Sequence, residues 1–188
     1  MICRSFEPIF TPQARVLIVG SMPSVKSLSD AQYYAHPRNA FWPIMFDVFG
    51  VAPSDDYEIK KALIREHRLA LWDAAASCER EGSLDSAMRD IVFSDFAGLY
   101  ARCPGIHTVL CNGGTAHSLF LRSGAAGERH VMRLPSTSPA YTMPYDKKLA
   151  AWREALEPSA PCGRNSEAER GESQGAAECR DYVSSPGG

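Results

Sequence analysis

The sequence predicts an α/β fold: a three-layer α/β/α sandwich around a central, mainly parallel four-stranded sheet. Four short apolar runs have the length and the β-branched content of buried strands. Segments with helical spacing separate these runs, and a connection through a helix joins strands that run parallel. The chain of 188 residues is 45% hydrophobic, which is enough to bury a sizeable core beneath helices on both faces of the sheet.

The first strand and the first clear helix are both followed by glycine. Arg15–Val19 (RVLIV) is a β-branched run that stops at Gly20, so it predicts a buried strand. From Phe41 to Phe49 the apolar residues recur at helical spacing, and Gly50 then ends the pattern. We therefore expect a short buried strand and, after a polar stretch, a helix with one apolar face.

The next segments predict further helices and the second strand. Asp55, with Glu58 three residues later, resembles a capping box and predicts a helix that runs to about His67. Leu69–Ala75 (LALWDAA) is the second apolar run, and we interpret it as the second strand. Ser83–Asp90 has the composition of a short helix, which we expect to lie between this strand and the third.

The second half of the chain continues the alternation of helix and strand. We expect a short helix over Ser94–Arg102, a strand over His107–Cys111 (HTVLC) and a helix over Gly114–Arg122. His130–Leu134 (HVMRL) is the fourth strand, and Tyr145–Leu156 carries apolar residues along one face of a last helix. In a sheet of this kind, ligands bind beyond the carboxyl ends of the strands.

Composition divides the chain into a domain and a tail. Residues 158–188 are rich in Gly, Ser, Glu and Ala and have almost no large apolar side chains, so they predict a disordered tail. Residues 1–157, the expected domain, contain 17 basic and 17 acidic residues. A neutral domain is not the basic block of many nucleic-acid binders, so any contact with DNA depends on local placement of charge.

The cysteines give no sign of a metal or a disulfide framework. Six of them are scattered along the chain without a C-x-x-C pair, and we expect Cys103 and Cys111 to be buried thiols beside a strand. No metal and no cofactor are therefore expected. The sequence shows neither a secretory signal nor an apolar run of about 20 residues that could span a bilayer, so the expected compartment is the cytoplasm.

The loops that follow the four predicted strands have similar chemistry. Gly20–Leu28, Asp73–Ser86, Asn112–Gly114 and Pro135–Pro144 are all rich in glycine, proline, hydroxyl or amide groups. Each loop alone is explained by ordinary turn chemistry. Together on one edge of a sheet, they predict a cleft lined by N–H groups and hydroxyls, which suits a phosphate.

Common nucleotide-binding and hydrolase motifs are missing from these loops. The sequence has no G-x-x-x-x-G-K-[ST] and no G-x-G-x-x-G after the first strand. The run GSMPS lacks the final glycine of the serine-hydrolase motif G-x-S-x-G. Met22 occupies the position where a catalytic carboxylate or nucleophile would be convenient, and a thioether does neither task.

Four motifs resemble those of a known family. GSMPS, YYAHPRNAFW, VLCNGG and LPSTSPAY resemble the uracil-DNA glycosylase superfamily, and most of all its hypoxanthine-DNA (deoxyinosine) glycosylase branch. The resemblance runs from about Val16 to Trp152. It implies that the partner is DNA that contains deaminated bases. It also implies a monomer that uses neither a membrane nor a metal, with a bacterial-type activity at the nucleoid.

The resemblance implies that Asn39 is the catalytic residue. Members with uracil as substrate carry an aspartate, and mismatch-specific members an asparagine, at the position of Met22, so this chain departs from both patterns. In the hypoxanthine branch an asparagine of the second motif, here Asn39, takes over and positions the attacking water. The alternative for Asn39 is a helix cap before Phe41, and the two roles can coexist.

Further residues are predicted to bind the base and the DNA. The resemblance implies a base pocket made of Gly20, Ser21, Met22, Tyr34 and Asn112, in which Tyr34 stacks on the extruded base and Asn112 reads its edge. Tyr33 and Phe41 are rival stacking residues, although Phe41 fits core packing better. Predicted DNA contacts come from Ser24, Arg38, Ser136, Thr137, Ser138 and Tyr141, with Lys26, Lys147 and Lys148 as additional phosphate contacts and Met143 as an alternative to Tyr141 as an apolar wedge.

The resemblance implies a monofunctional DNA glycosylase that excises deaminated bases, chiefly hypoxanthine, and leaves an abasic site. Monofunctional means that water attacks, since no lysine lies in the four motifs to form a Schiff base. The alternatives are a glycosylase that prefers uracil or xanthine and a non-catalytic binder of damaged DNA or nucleotides, which Met22 would explain. Arg80–Ser86 receives no role from the sequence.

Overall fold

The computed structural model describes residues 2–157, so the predicted tail over 158–188 lies outside the described residues. The central sheet consists of β2 (Val16–Gly20), β3 (Leu69–Asp73), β6 (Thr108–Asn112) and β7 (His130–Leu134) in the order β3-β2-β6-β7. All neighbouring pairs are parallel. The carboxyl ends of all four strands therefore lie at one edge, as predicted.

Helices cover this sheet and confirm the predicted fold class. The helix α3 packs against β3, α5 packs against β2, β6 and β7, and α2 packs against α6. The predicted bounds of α2, α5 and α6 are confirmed, and Gly50 ends α2 in the left-handed conformation. The helices are α1 (Val25–Asp30), α2 (Phe41–Phe49), α3 (Tyr57–Glu66), α4 (Phe96–Arg102), α5 (Gly114–Arg122) and α6 (Tyr145–Leu156).

A second sheet, which the sequence did not predict, lies beside the first. It contains β1 (Ile2–Arg4), β4 (Ala75–Glu79) and β5 (Arg89–Phe93), all antiparallel, in the order β1-β4-β5. The predicted helix over Ser83–Asp90 is wrong, since this stretch holds only a 3₁₀ turn at Asp85–Ala87 before β5 begins. Pairing of β5 with β4 overrides a weak local helical preference.

Two smaller predictions are also corrected. The side chain that caps α3 belongs to Asp56, whose Oδ1 accepts a hydrogen bond of 2.8 Å from the N–H of Glu58, and not to Asp55. The apolar run Leu69–Ala75 is two strands, because β3 ends at Asp73 and β4 begins at Ala75. The chain therefore leaves the central sheet directly after Asp73.

The core confirms that the apolar face of α2 and the cysteines are buried. Phe41 and Trp152 are fully buried between α2 and α6, and their rings meet edge to face. Cys103 and Cys111 are buried as predicted. Within residues 2–157 the longest apolar helix is too short to cross a lipid bilayer.

Candidate active site

A cavity of about 330 Å³ opens at the carboxyl edge of the central sheet. Its volume falls in the range of small-molecule sites. Loops that follow the strands form its walls, together with the segment between α1 and α2. Of the twelve main predicted site residues, only Arg38 lies outside its lining, and so do the additional contacts Lys26, Lys147, Lys148 and Met143. The main residues in the lining are Gly20, Ser21, Met22, Ser24, Tyr34, Asn39, Asn112, Ser136, Thr137, Ser138 and Tyr141.

Asn112 is held in one orientation by a single neighbour. It is the last residue of β6, and its Oδ1 accepts a hydrogen bond of 2.9 Å from the backbone N–H of Thr137. Its Nδ2 donates a hydrogen bond of 2.8 Å to the Thr137 hydroxyl. A backbone N–H can only donate, so it fixes which end of the amide is oxygen. The amide keeps a second oxygen lone pair, and its second hydrogen lies near the Tyr34 hydroxyl, with which a ligand would share it.

Thr137 supports Asn112 and is not placed to contact DNA with its side chain. The sequence predicted a phosphate contact, but Thr137 is only 1% exposed and its hydroxyl accepts from Asn112. Ser136 and Ser138 on either side are half-buried and line the cavity. The loop after β7 thus has one residue turned inward and two that face the opening.

The structure shows the capping role of Asn39 and places its amide at the cavity. Its Oδ1 accepts a hydrogen bond of 3.0 Å from the backbone N–H of Phe41, the first residue of α2. That N–H belongs to the first turn of the helix and has no partner within the helix itself. Because the amide oxygen has a second lone pair, the same side chain can also accept a hydrogen bond from a water molecule in the cavity.

Tyr34 and Tyr33 both line the cavity, but Tyr33 is almost fully buried, and Phe41 belongs to the core alone. The Tyr34 ring stacks on Phe41 with 4.0 Å between centroids and an interplanar angle of 24°, so a base can stack only on its opposite face. Phe41 is fully buried, and Tyr33 is 2% exposed. The Tyr34 hydroxyl is buried and makes no hydrogen bond of good geometry with any of residues 2–157.

Asp73 is a buried carboxyl group at the floor of the cavity, and the sequence analysis did not single it out. It ends β3, is 3% exposed and lines the cavity. Its Oδ2 accepts a hydrogen bond of 2.8 Å from the Ser5 hydroxyl. Burial raises the pKa of Asp73 to about 7, and the nearby Asp85 adds to this, while the Ser5 hydrogen bond and Arg80 oppose it.

Gly20 is the residue that makes room for Asp73. A Cβ atom at Gly20 would lie 2.2 Å from Asp73 Oδ1 and 3.0 Å from the Tyr34 hydroxyl. Gly20→Ala is therefore expected to lower the free energy of unfolding by about 1–3 kcal/mol, measured by urea denaturation. Gly114→Ala is the control, because the nearest atom to its Cβ would be 3.9 Å away. Equal stability of the two variants would contradict this account.

The raised pKa of Asp73 predicts a pH dependence of stability. Between its ordinary value of 3.8 and about 7, the folded chain binds a proton that the unfolded chain releases. The free energy of unfolding should thus fall as the pH rises from about 4 to 7, by at most on the order of 4 kcal/mol. Urea denaturation across this range should give a flatter profile for Asp73→Asn. Parallel profiles for the variant and the natural chain would argue against the raised pKa.

A second carboxylate, Asp85, belongs to the stretch Arg80–Ser86 that received no role from the sequence. The Ser21 hydroxyl donates a hydrogen bond of 2.8 Å to Asp85 Oδ2, and Arg80 lies 3.7 Å from its Oδ1. The buried Arg80 guanidinium also donates to the carbonyl of Pro23. Burial raises the pKa of Asp85, against the effect of the Ser21 hydrogen bond. This stretch therefore fixes the shape of the loop after β2.

Lys148 holds the loop after β7 and is not a free phosphate ligand. The sequence suggested an exposed lysine, but Lys148 is 5% exposed. Its Nζ donates hydrogen bonds of 3.3 Å to the carbonyl of Ser138 and 2.8 Å to the carbonyl of Tyr141. Lys26 forms an ion pair with Asp30 on α1. Tyr141 remains 44% exposed at the rim of the cavity.

A carboxylate at the end of an otherwise apolar strand, LALWD, was the signal that could have identified Asp73. Parallel strands present the side chains at their carboxyl ends to the ligand side of the sheet. Asp85 carries no such signal, because it lies in a loop. The apolar rim residue Leu84, which is 69% exposed, was also not predicted. Asp73, Asp85 and Leu84 were therefore identified only from the structure, as were the lining residues Pro23, Ser27, Ser83 and Ala140.

Known proteins of one superfamily are similar to this chain. A profile of the Uracil DNA glycosylase superfamily matches residues 7–158. A hypoxanthine DNA glycosylase of Methanosarcina acetivorans is 36% identical over 143 residues, which are 74% of this chain and 89% of that protein. A hypoxanthine DNA glycosylase of Methanosarcina barkeri is 31% identical over 111 residues, which are 58% of this chain and 70% of that protein.

A solved structure shares the same fold. It is the solution NMR structure of a Methanosarcina acetivorans protein assigned to the uracil DNA glycosylases, and its TM-score is 0.71 at 32% sequence identity. The superposition covers 84% of this chain and 99% of that chain. With a family profile that spans almost all of the described residues, the chain belongs to the uracil DNA glycosylase superfamily.

Proposed function

We propose that this chain is a monofunctional DNA glycosylase that flips a deaminated base, chiefly hypoxanthine, out of DNA and hydrolyses its bond to deoxyribose. The product is an abasic site for base excision repair. One observation carries the proposal: Asn39 and Asn112 line the same cavity, and each amide is oriented by a backbone N–H. Two relatives named hypoxanthine DNA glycosylases support the choice of substrate.

The free groups of Asn112 match the edge of a deaminated base. Hypoxanthine presents O6 as an acceptor beside N1–H as a donor, and uracil presents O4 and N3–H in the same way. Asn112 donates from Nδ2 and accepts at Oδ1, so it pairs with either base. Adenine and cytosine present the reverse pattern, which would require the amide to turn its NH₂ toward the N–H of Thr137. This mismatch excludes the two parent bases.

Guanine and thymine carry the same pair of groups as hypoxanthine and uracil. Their exclusion therefore depends on the guanine 2-amino group and the thymine 5-methyl group meeting the cavity wall. Apolar walls reject an extra methyl-sized group by only about 1–3 kcal/mol. Discrimination against guanine and thymine should accordingly be weaker, per flipped base, than discrimination against adenine and cytosine.

Asn39 positions the attacking water in the hydrolysis and does not act as a base. Departure of the base leaves a cationic sugar, as in glycoside hydrolysis, so water needs placement more than deprotonation. Placement of a water by the Asn39 amide oxygen can lower the barrier by several kcal/mol. No lysine is among the lining residues of the cavity within 2–157, which supports attack by water over a Schiff base.

The rim of the cavity supplies the contacts that hold the DNA open. Ser136 and Ser138 offer hydroxyls to phosphates, and the exposed side chains of Tyr141 and Leu84 are apolar groups suited to fill the gap left by a flipped nucleotide. With a neutral domain, binding should be modest and should weaken with salt. The enzyme would act as a monomer without a cofactor or metal, in the cytoplasm, where it meets its DNA.

Duplex oligonucleotides that carry one deoxyinosine, deoxyuridine or deoxyxanthosine test this proposal. The purified chain is incubated with each duplex, and abasic sites are then cleaved with alkali and separated on a denaturing gel. We expect cleavage at deoxyinosine, at a rate unaffected by a chelator and strongly reduced in Asn39→Ala. Binding to each duplex is measured in parallel by fluorescence anisotropy.

The same assay decides between the alternatives. Faster cleavage at deoxyuridine or deoxyxanthosine would keep the reaction but change the main substrate. Binding to the damaged duplex with no cleavage at any base would show a non-catalytic binder, in agreement with the methionine at position 22. Weak binding with no cleavage would reject both readings.

A further inference from the structure

Three neighbouring strands end in one row across the floor of the cavity. Gly20 of β2 pairs with Asp73 of β3, and Val19 pairs with Cys111, so Gly20 and Asn112 follow at the same level. Residues in register on neighbouring strands point to the same face of the sheet. The row therefore places a carboxyl group, a glycine without a side chain and an amide side by side.

The row brings the Asp73 carboxyl group toward the Asn112 amide. Neighbouring strands are about 4.8 Å apart, so the Cα atoms of Asp73 and Asn112 should be about 10 Å apart with Gly20 between them. The Asp73 side chain extends over Gly20, since Oδ1 lies 2.2 Å from the place that a Cβ of Gly20 would take, and the Tyr34 hydroxyl lies 3.0 Å from the same place. The carboxyl group of Asp73 is therefore closer to Asn112 than its Cα atom is.

The surroundings of Asp73 favour a protonated carboxyl group at neutral pH. Burial raises its pKa to about 7, and the charged groups that act on it are Asp85, which raises the pKa, and Arg80, which lowers it. Ser5 donates to Oδ2 and so also lowers the pKa. Tyr33 and Tyr34 lie beside it, and their own pKa values are raised, so both are neutral.

We propose that Asp73 is a general acid that donates its proton to N7 of the flipped hypoxanthine as the base leaves. This inference rests on the proposed function. When the bond between N9 and C1′ breaks, its electron pair goes to the base, and the proton from Asp73 makes the departing base neutral. Water adds its oxygen to C1′, and the proton that it loses returns to the Asp73 carboxylate through solvent.

This role makes Asp73 a determinant of purine specificity. With O6 and N1–H paired to Asn112, N7 is the next ring acceptor along the edge, and Asp73 stands on the other side of Gly20. Uracil has no N7, so its release gains nothing from this proton. General acid catalysis typically contributes 10²–10⁴-fold in rate, which would suffice to rank hypoxanthine above uracil.

Substrates that contain 7-deaza-2′-deoxyinosine test the proposal directly. Under single-turnover conditions, Asp73→Asn should release hypoxanthine about 100-fold more slowly than the natural chain. The natural chain should lose a similar factor when N7 of the substrate is replaced by carbon. The two changes together should lose little more than either alone, because both remove one proton transfer.

The pH dependence of the rate provides a second readout. A purely structural role of Asp73 would leave this dependence unchanged. The rate for the natural chain should fall about tenfold per pH unit above about pH 7, and Asp73→Asn should lack this limb. Ser5→Ala removes a hydrogen bond that stabilises the carboxylate, so it should shift the limb to higher pH. Ser5→Ala keeps the test valid even if Asp73→Asn fails to fold.

Two results would overturn the proposal. One is that the rate losses from Asp73→Asn and from the 7-deaza substrate multiply in full when the two are combined. The other is that Ser5→Ala does not shift the alkaline limb of the pH profile. Failure of the proposed function itself looks different, because the natural chain would then bind the deoxyinosine duplex and leave it intact at every pH. Asp73 would in that case have no reaction to assist.

Discussion

Asn39→Ala is expected to lower the rate of hypoxanthine release on the order of 10³-fold, because the cavity loses the group that places the water. The substitution also removes the hydrogen bond to the N–H of Phe41, so the free energy of unfolding should fall by about 1 kcal/mol. Single-turnover rates and urea denaturation measure the two effects separately. A rate within about threefold of the natural chain would leave Asn39 with a capping role alone.

Asp56→Ala is the matched control for this experiment. Asp56 caps α3 in the same way, with its Oδ1 bound to a backbone N–H two residues later, and it is not among the lining residues of the cavity. The two alanine variants should lose similar stability, and only Asn39→Ala should lose activity. Asn39→Asp keeps the cap and an acceptor for water, so we expect it to retain part of the rate.

Asn112→Asp is expected to abolish most recognition of the deaminated base, with a loss on the order of 10³-fold or more in kcat/KM. The carboxylate can still accept from the N–H of Thr137, but it cannot donate to O6 of hypoxanthine and would repel it. Rates on deoxyinosine and deoxyuridine should fall together, because both bases use the same donor. Rates on deoxyinosine and deoxyuridine close to those of the natural chain would contradict the assigned role of Asn112.

Thr137→Val separates the two hydrogen bonds that hold Asn112. It removes the hydroxyl that accepts from Nδ2 and leaves the backbone N–H that donates to Oδ1. Since the backbone N–H alone fixes the orientation of the amide, we expect a loss of no more than about tenfold in kcat/KM. A loss as large as that of Asn112→Asp would show that the hydroxyl, and not the backbone, sets the orientation.

Much of the central layer could be predicted because its signals are local. The bounds of α5, β7 and α6 follow from spacing and terminal residues, and the helical connections imply parallel strands. The second sheet could not be predicted, because β1 pairs with β4, which lies more than seventy residues away. Such short strands carry almost no periodic pattern of their own, and their partners are set by the tertiary fold.

Some residues of the candidate site could also be predicted from the sequence, and others could not. Asn39 and Asn112 could be identified because they lie in motifs that resemble those of the family. Asp73 is recognised as a site residue because Gly20 lies beside it on the neighbouring strand, and only the register of the sheet shows this. From the sequence, the polar groups of Thr137 and Lys148 were expected to face DNA. Both residues are buried, and their polar groups bind the protein itself. A sequence gives the polar group but not the side to which it faces.

The orientation of both asparagines by main-chain N–H groups affects how this site can change in evolution. Every residue except proline supplies an N–H, so the direction of the two amides does not depend on which side chain stands at position 41 or 137. Mutational drift in the surrounding side chains then alters the size of the cavity without reversing its donor and acceptor pattern. New base preferences within this lineage should therefore arise from changes in the walls, with the pair of asparagines inherited intact.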